Sequence, residues 1–148
     1  MADNFFVTAI LVSHDGQTWL PEAIAAISAQ TRRIDRIIAV DTGSIDNSAK
    51  MLASAGLTVV KTDRDAGFGD AIALALGSAK KLKSEDQEEL IWILHDDCAP
   101  TRSALKNLIE GLDPSSIAPH ELITLFQSQS IENSGFTDRL EDLIYTQS

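Results

Sequence analysis

The sequence predicts an α/β fold built on a mainly parallel sheet with helices on both faces. Two observations carry this. Short β-rich runs alternate four times with segments of helical periodicity. The runs are also apolar throughout instead of alternating, as strands covered on both faces are. With 148 residues the chain has the length of one domain. We read residues 7–112 as its core and 113–148 as a short C-terminal extension.

Val7 to Val12 (VTAILV) is the first buried strand, broken by Ser13-His14-Asp15-Gly16. From Thr18 to Gln30, Leu20, Ile24 and Ile27 recur on one helical face, and Pro21 falls in the first turn, where its missing N–H costs nothing. Arg36 to Val40 is the second strand, and a short helix follows from about Asp46 to Ala55, ended by Gly56. Leu57 to Lys61 is the third strand. Gly67 and Gly69 mark a turn before an Ala- and Leu-rich helix from about Asp70 to Leu82. After a polar connection from Lys83 to Glu89, Leu90 to Leu94 forms the fourth strand. A helix near Arg102 to Leu112 is closed by Asp113-Pro114. Beyond it the pattern weakens to one strand at Glu121 to Gln127 and one helix at Thr137 to Tyr145.

Composition narrows the function. Hydrophobic residues make up 44% and charged residues 23%, and the formal net charge is −10. So acidic a chain has little with which to displace the counterions of a phosphate backbone, which argues against a nucleic-acid partner. The longest near-apolar run is far too short to span a bilayer. Cys98 is the single cysteine and Met1 to Phe6 lacks a basic leader, so a cytoplasmic protein is expected. Cys98 itself, beside two acids, reads as a packing residue.

In open α/β sheets ligands bind outside the carboxyl ends of the strands. Those ends carry His14-Asp15, then Asp41 with Ser44 and Asp46, then Asp63 with Asp65, and finally His95-Asp96-Asp97. Capping of the next helix accounts for one acid per loop. It does not account for a His and two successive Asp residues ending the most hydrophobic strand. Converging carboxylates repel unless a cation sits among them, and hard oxygen donors suit Mg²⁺ or Mn²⁺ bridging to a diphosphate.

Five segments in order carry a family resemblance. His14-Asp15 stands where a Tyr-Asn pair is usual. Ala29-Gln30-Thr31 matches an "AQT" signature, and Val40-Asp41-Thr42-Gly43-Ser44-Ile45-Asp46 matches "VVDDGSTD". Asp65-Ala66-Gly67-Phe68-Gly69-Asp70-Ala71 resembles "NxGxxxA", and His95-Asp96-Asp97 resembles the metal-binding "DxD". From Val7 to Leu112 the chain is similar to the nucleotide-sugar-binding half of family 2 glycosyltransferases, which have the Rossmann-like GT-A fold.

That resemblance implies transfer of a sugar from a nucleoside diphosphate, most simply UDP, to an acceptor hydroxyl with inversion. By resemblance Asp41 accepts from the nucleobase, His14 and Asp15 line the base and ribose pocket, and Asp65 with Gly67 approaches the nucleotide. Asp96 faces the ribose or sugar, and Asp97 holds the Mg²⁺ or Mn²⁺ that neutralises the leaving diphosphate. His95, replacing the first acid of the triplet, is either a wall of the pocket or a second metal ligand. The family places an acceptor-binding half with a general base beyond the metal motif. Here only Cys98 to Ser148 follow, and Ser134-Gly135-Phe136-Thr137-Asp138 resembles the family's "GGFDE". Asp142 of the adjoining Glu141-Asp142 pair is the candidate base, or both acids belong to the polar side of a helix. The alternatives are a compact variant, a truncated chain, half of a split or oligomeric enzyme, or a catalytically incompetent nucleotide-sugar-binding module that pairs with another copy or a partner chain.

Overall fold

The computed structural model describes residues 4–79 and 87–112, and the backbones of two further strands at 122–126 and 145–147. In chain order the elements are β1 (Phe5–Ser13), α1 (Leu20–Ser28), β2 (Arg36–Asp41), α2 (Ser48–Ser54), β3 (Thr58–Lys61), α3 (Phe68–Ser78), β4 (Glu88–His95), α4 (Ala104–Glu110), β5 (Leu122–Phe126) and β6 (Tyr145–Gln147). They form one six-stranded sheet in the order β3-β2-β1-β4-β5-β6. β1 to β5 pair in parallel, and β6 runs antiparallel to β5.

The continuous apolar runs find their reason in this sheet, because successive side chains feed opposite faces. Val7, Ala9 and Leu11 of β1 join Leu90, Trp92 and Leu94 of β4 on one face, under Leu20 and Ile27 of α1, Leu52 of α2 and Leu105 and Leu108 of α4. Ile10, Val12, Ile38, Val40, Ile91 and Ile93 point to the other face, against Ala71 and Ala75 of α3. Small alanines let α3 lie close to that β-branched surface.

The observed elements depart from the periodicity in a few places. α3 begins at Phe68, two residues before the expected Asp70, because the Asp70 carboxylate turns back to accept from the Gly67 N–H at 3.3 Å. Glu88 and Glu89, read as part of a polar connection, belong to β4 and pair with Phe5 and Phe6 of β1. Tyr145, expected at the end of a helix, starts β6 instead. The rest of that expected helix, with Asp142, lies outside the described residues. No helix among the described residues is long and apolar enough to cross a membrane.

β1 is the pivot of the topology. The chain leaves it toward β2 and β3, then returns to its other side with β4. The carboxyl ends of β1 and β4, where Val12 pairs with His95, thus form the switch point at which open α/β sheets present their ligand crevice.

Candidate functional site

Four loops meet at this switch point. The β1–α1 loop is laced to the β2–α2 loop by backbone donors and side-chain acceptors. The Asp15 N–H donates to Ser44 Oγ at 2.9 Å, the Gly16 N–H to Ser48 Oγ at 2.8 Å and the Gln17 N–H to Asp46 Oδ2 at 3.0 Å. In return Asp15 Oδ1 accepts from Ile45 N at 2.8 Å, and Gln17 Oε1 accepts from Asn47 N at 3.0 Å. Polar side chains after each strand thereby satisfy the donors that the loops leave unpaired.

The second tie comes from β4. Asp96 tucks under the end of β1, its Oδ2 accepting from the His14 N–H at 2.8 Å and from Ser13 Oγ at 3.3 Å. Burial pushes the Asp96 carboxyl above its usual range, against the lowering effect of the His14 N–H. The loop past β4 is anchored in turn by buried Gln30. Its amide donates to the carbonyls of Ala26 and Thr101 at 3.0 and 2.7 Å, while its oxygen accepts from Leu105 N at 3.1 Å. The glutamine of the "AQT" segment is therefore a fastener between α1 and the β4–α4 loop.

The third tie is Arg64, in the β3–α3 loop. Its guanidinium grips Asp15 through both carboxylate oxygens, at 2.9 and 3.3 Å, and donates to the Gly43 carbonyl at 2.9 Å. Held chiefly by Arg64 and secondly by Ile45 N–H, the Asp15 carboxyl lies at a pKa of about 2. Two backbone features accompany the grip. Asp15 adopts a left-handed φ of 47°. Gly43, at φ 67°, leaves no room for a Cβ, which would meet the Arg64 backbone nitrogen at 2.7 Å.

A cavity of about 280 Å³ opens where these loops meet, lined by Val12, His14, Thr42, Arg64, Ala66, Phe68, His95 and Asp96. His95 is exposed and lies flat on Phe68, with ring centroids 4.2 Å apart and planes 8° from parallel. Asp41, at the end of β2, is 3% exposed and does not line the cavity. One of its oxygens accepts from Ser44 N at 3.2 Å, and the other is buried without a partner. The residue of the "VVDDGSTD"-like segment that lines the cavity is Thr42, one position later. Asp65 and Gly67 are exposed on the same loop as Arg64 but do not line the cavity, and Gly67 has an ordinary φ of −71°. Asp97 is half-buried beside Asp96. Cys98 is buried and its thiol is pushed up to about 12, first by burial and then by Asp97, so it is no nucleophile.

Charge counting alone finds the acids of this site and misses Arg64, Phe68 and Thr42. Arg64 stands between Asp63 and Asp65 in sequence, a setting that resembles a solvated charge run. A cation flanked by acids in a loop following a strand was the available signal.

The Arg64–Asp15 pair carries a pH dependence whose sign follows from the depressed pKa. Asp15 contributes stability above the unfolded carboxyl value of 3.8, and that contribution disappears as pH falls toward about 2. Asp15→Asn is thus expected to be less stable than the wild type at pH 6. Denaturation curves at pH 5, 3.5 and 2 should show the difference shrinking, and a constant difference would exclude the pair as its source.

Among the described residues no group of three His, Cys, Asp or Glu side chains could hold a metal ion by itself. With one Asp96 oxygen committed to Ser13 and His14, the Asp96-Asp97 turn offers a minimal set of hard oxygen donors. Mg²⁺ is commonly held in this way, by one or two carboxylates with substrate phosphates and waters completing the shell. The chemistry of the turn fits a hard divalent ion only as a site that the ligand completes.

Fold and site together define an open-sheet α/β protein with a polar, ring-lined crevice at its switch point. The family described as Glycosyl transferase family 2 matches residues 8–117, and the chain belongs to that family. No curated protein matches it in sequence. Its structure is similar to that of glucosyl-3-phosphoglycerate synthase from Mycobacterium tuberculosis, solved with Mn²⁺, UDP and glucosyl-3-phosphoglycerate. The TM-score is 0.56 and the identity 18%, over 70% of this chain and 38% of that one. The fold is the GT-A type expected from the resemblance. The chain spans well under half the length of that enzyme.

Proposed function

We propose that the protein binds the nucleoside diphosphate of a sugar donor, UDP most simply, in a metal-dependent manner, as the donor half of an inverting glycosyl transfer. The observation that carries this reading is the cavity at the β1–β4 switch point, which joins flat rings to the Asp96 carboxylate. Its volume of about 280 Å³ lies just below the range usual for small-molecule sites, in keeping with a ligand held partly in the open. His14, Phe68 and His95 supply planar surfaces for a base and sugar. Asp41, next in sequence to the cavity-lining Thr42, holds one buried oxygen without a partner, and a shift of that turn would offer it as an acceptor to a base N–H. Asp65 and Gly67 stand on the loop that bounds the cavity.

Asp97, with Asp96, is the residue to hold Mn²⁺ or Mg²⁺ against the diphosphate. When bound, such an ion neutralises charge that develops on the leaving diphosphate. The chain's own residues bind and orient the nucleotide, with Asp96 fixed against β1 so that its remaining oxygen faces the ribose or sugar. His95 serves as a ring wall backed by Phe68. A metal-bridging role for its nitrogens is tested by the same experiment. Asp142 as general base is a proposal from sequence alone.

The test is a thermal-shift panel of UDP, GDP and dTDP with and without Mn²⁺, repeated on Asp97→Ala. Because ligands that bind only the native state raise its midpoint, a Mn²⁺-dependent rise with one nucleotide is expected in the wild type. Asp97→Ala should lose the Mn²⁺-dependent part, and His95→Phe should keep it if His95 is a wall. A flat response to every nucleotide would refute the donor-binding reading.

A further inference from the structure

Resting on the donor-pocket reading, we propose that Arg64 is the positioning residue of this pocket, a latch that fixes the His14 ring, its proton on Nδ1, as a plate facing the ligand. The argument begins with hydrogen-bond inventory. The His14 Nδ1 atom lies 3.1 Å from the Thr42 carbonyl and 2.7 Å from Thr42 Oγ1. A carbonyl only accepts, and the Thr42 hydroxyl donates its single hydrogen to the Ser13 carbonyl at 3.1 Å. Nδ1 therefore carries the proton. The opposite nitrogen, Nε2, faces Arg64 Nη2 at 3.5 Å, a group that can only donate, while the Asp15 Oδ2 acceptor stands farther off at 3.7 Å, beyond hydrogen-bond reach. Nε2 thus presents a lone pair to Arg64.

Both ring nitrogens are thereby engaged within the chain, one by Thr42 and one by Arg64. What His14 offers the cavity is its ring face and carbon edges, which recognise a planar ligand by stacking and not by a hydrogen bond. The four hydrogens on the two terminal nitrogens of Arg64 are matched by Asp15 Oδ1, Asp15 Oδ2, the Gly43 carbonyl and His14 Nε2. Arg64 is consequently spent on protein groups from two other loops and does not serve as a phosphate ligand. Lysine could not replace it, since one ammonium cannot span a carboxylate, a carbonyl and an imidazole in that fork geometry.

Two readouts test the latch. The ¹⁵N signals of the His14 ring in the wild type should show a protonated Nδ1 and an unprotonated Nε2. Arg64→Lys and Arg64→Gln should both move the ring toward the Nε2–H tautomer or a mixture. In the same variants the affinity for UDP with Mn²⁺ should fall tenfold or more while circular dichroism stays native. Thr42→Ser, which keeps the Nδ1 acceptors, should retain the wild-type tautomer. An unchanged His14 ring signal in Arg64→Lys and Arg64→Gln would overturn the latch, and so would a changed ring signal with unchanged UDP affinity. If wild-type protein binds no nucleotide at all, the donor-pocket reading fails, and the ring signal still decides whether Arg64 sets the state of His14.

Discussion

Gly16→Ala is expected to lower stability by about 1–3 kcal/mol, the usual cost of forcing an extra carbon into a packed site, and to weaken nucleotide binding at least tenfold. Gly16 is not needed for its backbone angle, since among the described residues the left-handed glycines are Gly43 and Gly56. It is needed for space. A Cβ there would meet Asp96 Oδ2 at 2.2 Å, Cγ at 2.6 Å and Cβ at 2.9 Å. Side-chain rotation relieves the first two contacts but not the third. Rotation also strips Asp96 from the His14 N–H and the Ser13 hydroxyl. The variant therefore moves the carboxylate next to Asp97, the proposed metal ligand. Denaturant midpoints and UDP titrations measure the two effects. Wild-type affinity in Gly16→Ala would mean that the position of Asp96 is irrelevant to binding.

The second large effect is on the core. Trp92 is fully buried in the middle of β4, between Ala9 of β1 and Leu125 of β5 in register. Trp92→Ala should cost about 3–5 kcal/mol, as large-to-small changes of buried aromatics do. That is a large part of the 5–15 kcal/mol typical of whole domains. The indole N–H, however, is buried without a partner. Leaving a buried donor unpaired costs about 1–3 kcal/mol. Trp92→Phe keeps most of the ring and deletes that donor, so the two terms offset and the loss should stay within about 1.5 kcal/mol. Urea unfolding of both variants checks this, and a Trp92→Phe loss well above about 1.5 kcal/mol would show that removing the donor offsets nothing.

The order of strands and helices was legible because burial on both faces demands unbroken, β-branched apolar runs, as in Val7 to Val12, Ile37 to Val40 and Leu90 to Leu94, each followed by a polar break. Helix and strand ends were less legible. Glu89 is in β4 because Phe6 offers a pairing partner, and α3 starts at Phe68 because Asp70 folds back on Gly67. Neither contact has a periodicity to announce it.

The site divides along the same line. The acids at the strand ends, Asp15, Asp41, Asp96 and Asp97, follow from the sequence alone, since position after a buried run places them at one edge of any parallel sheet. What each acid does was decided by partners distant in sequence. Asp15 faces Arg64, 49 residues away, and is held ionised to about pH 2. Asp96 faces the end of β1, 82 residues back at His14, and burial drives its carboxyl the other way. Two aspartates of identical chemistry thus acquire opposite electrostatic characters. Sequence determines which groups arrive at the crevice. Only the tertiary structure determines the neighbours that set each group's charge and freedom, because those interactions act over a few ångströms of space and not along the chain.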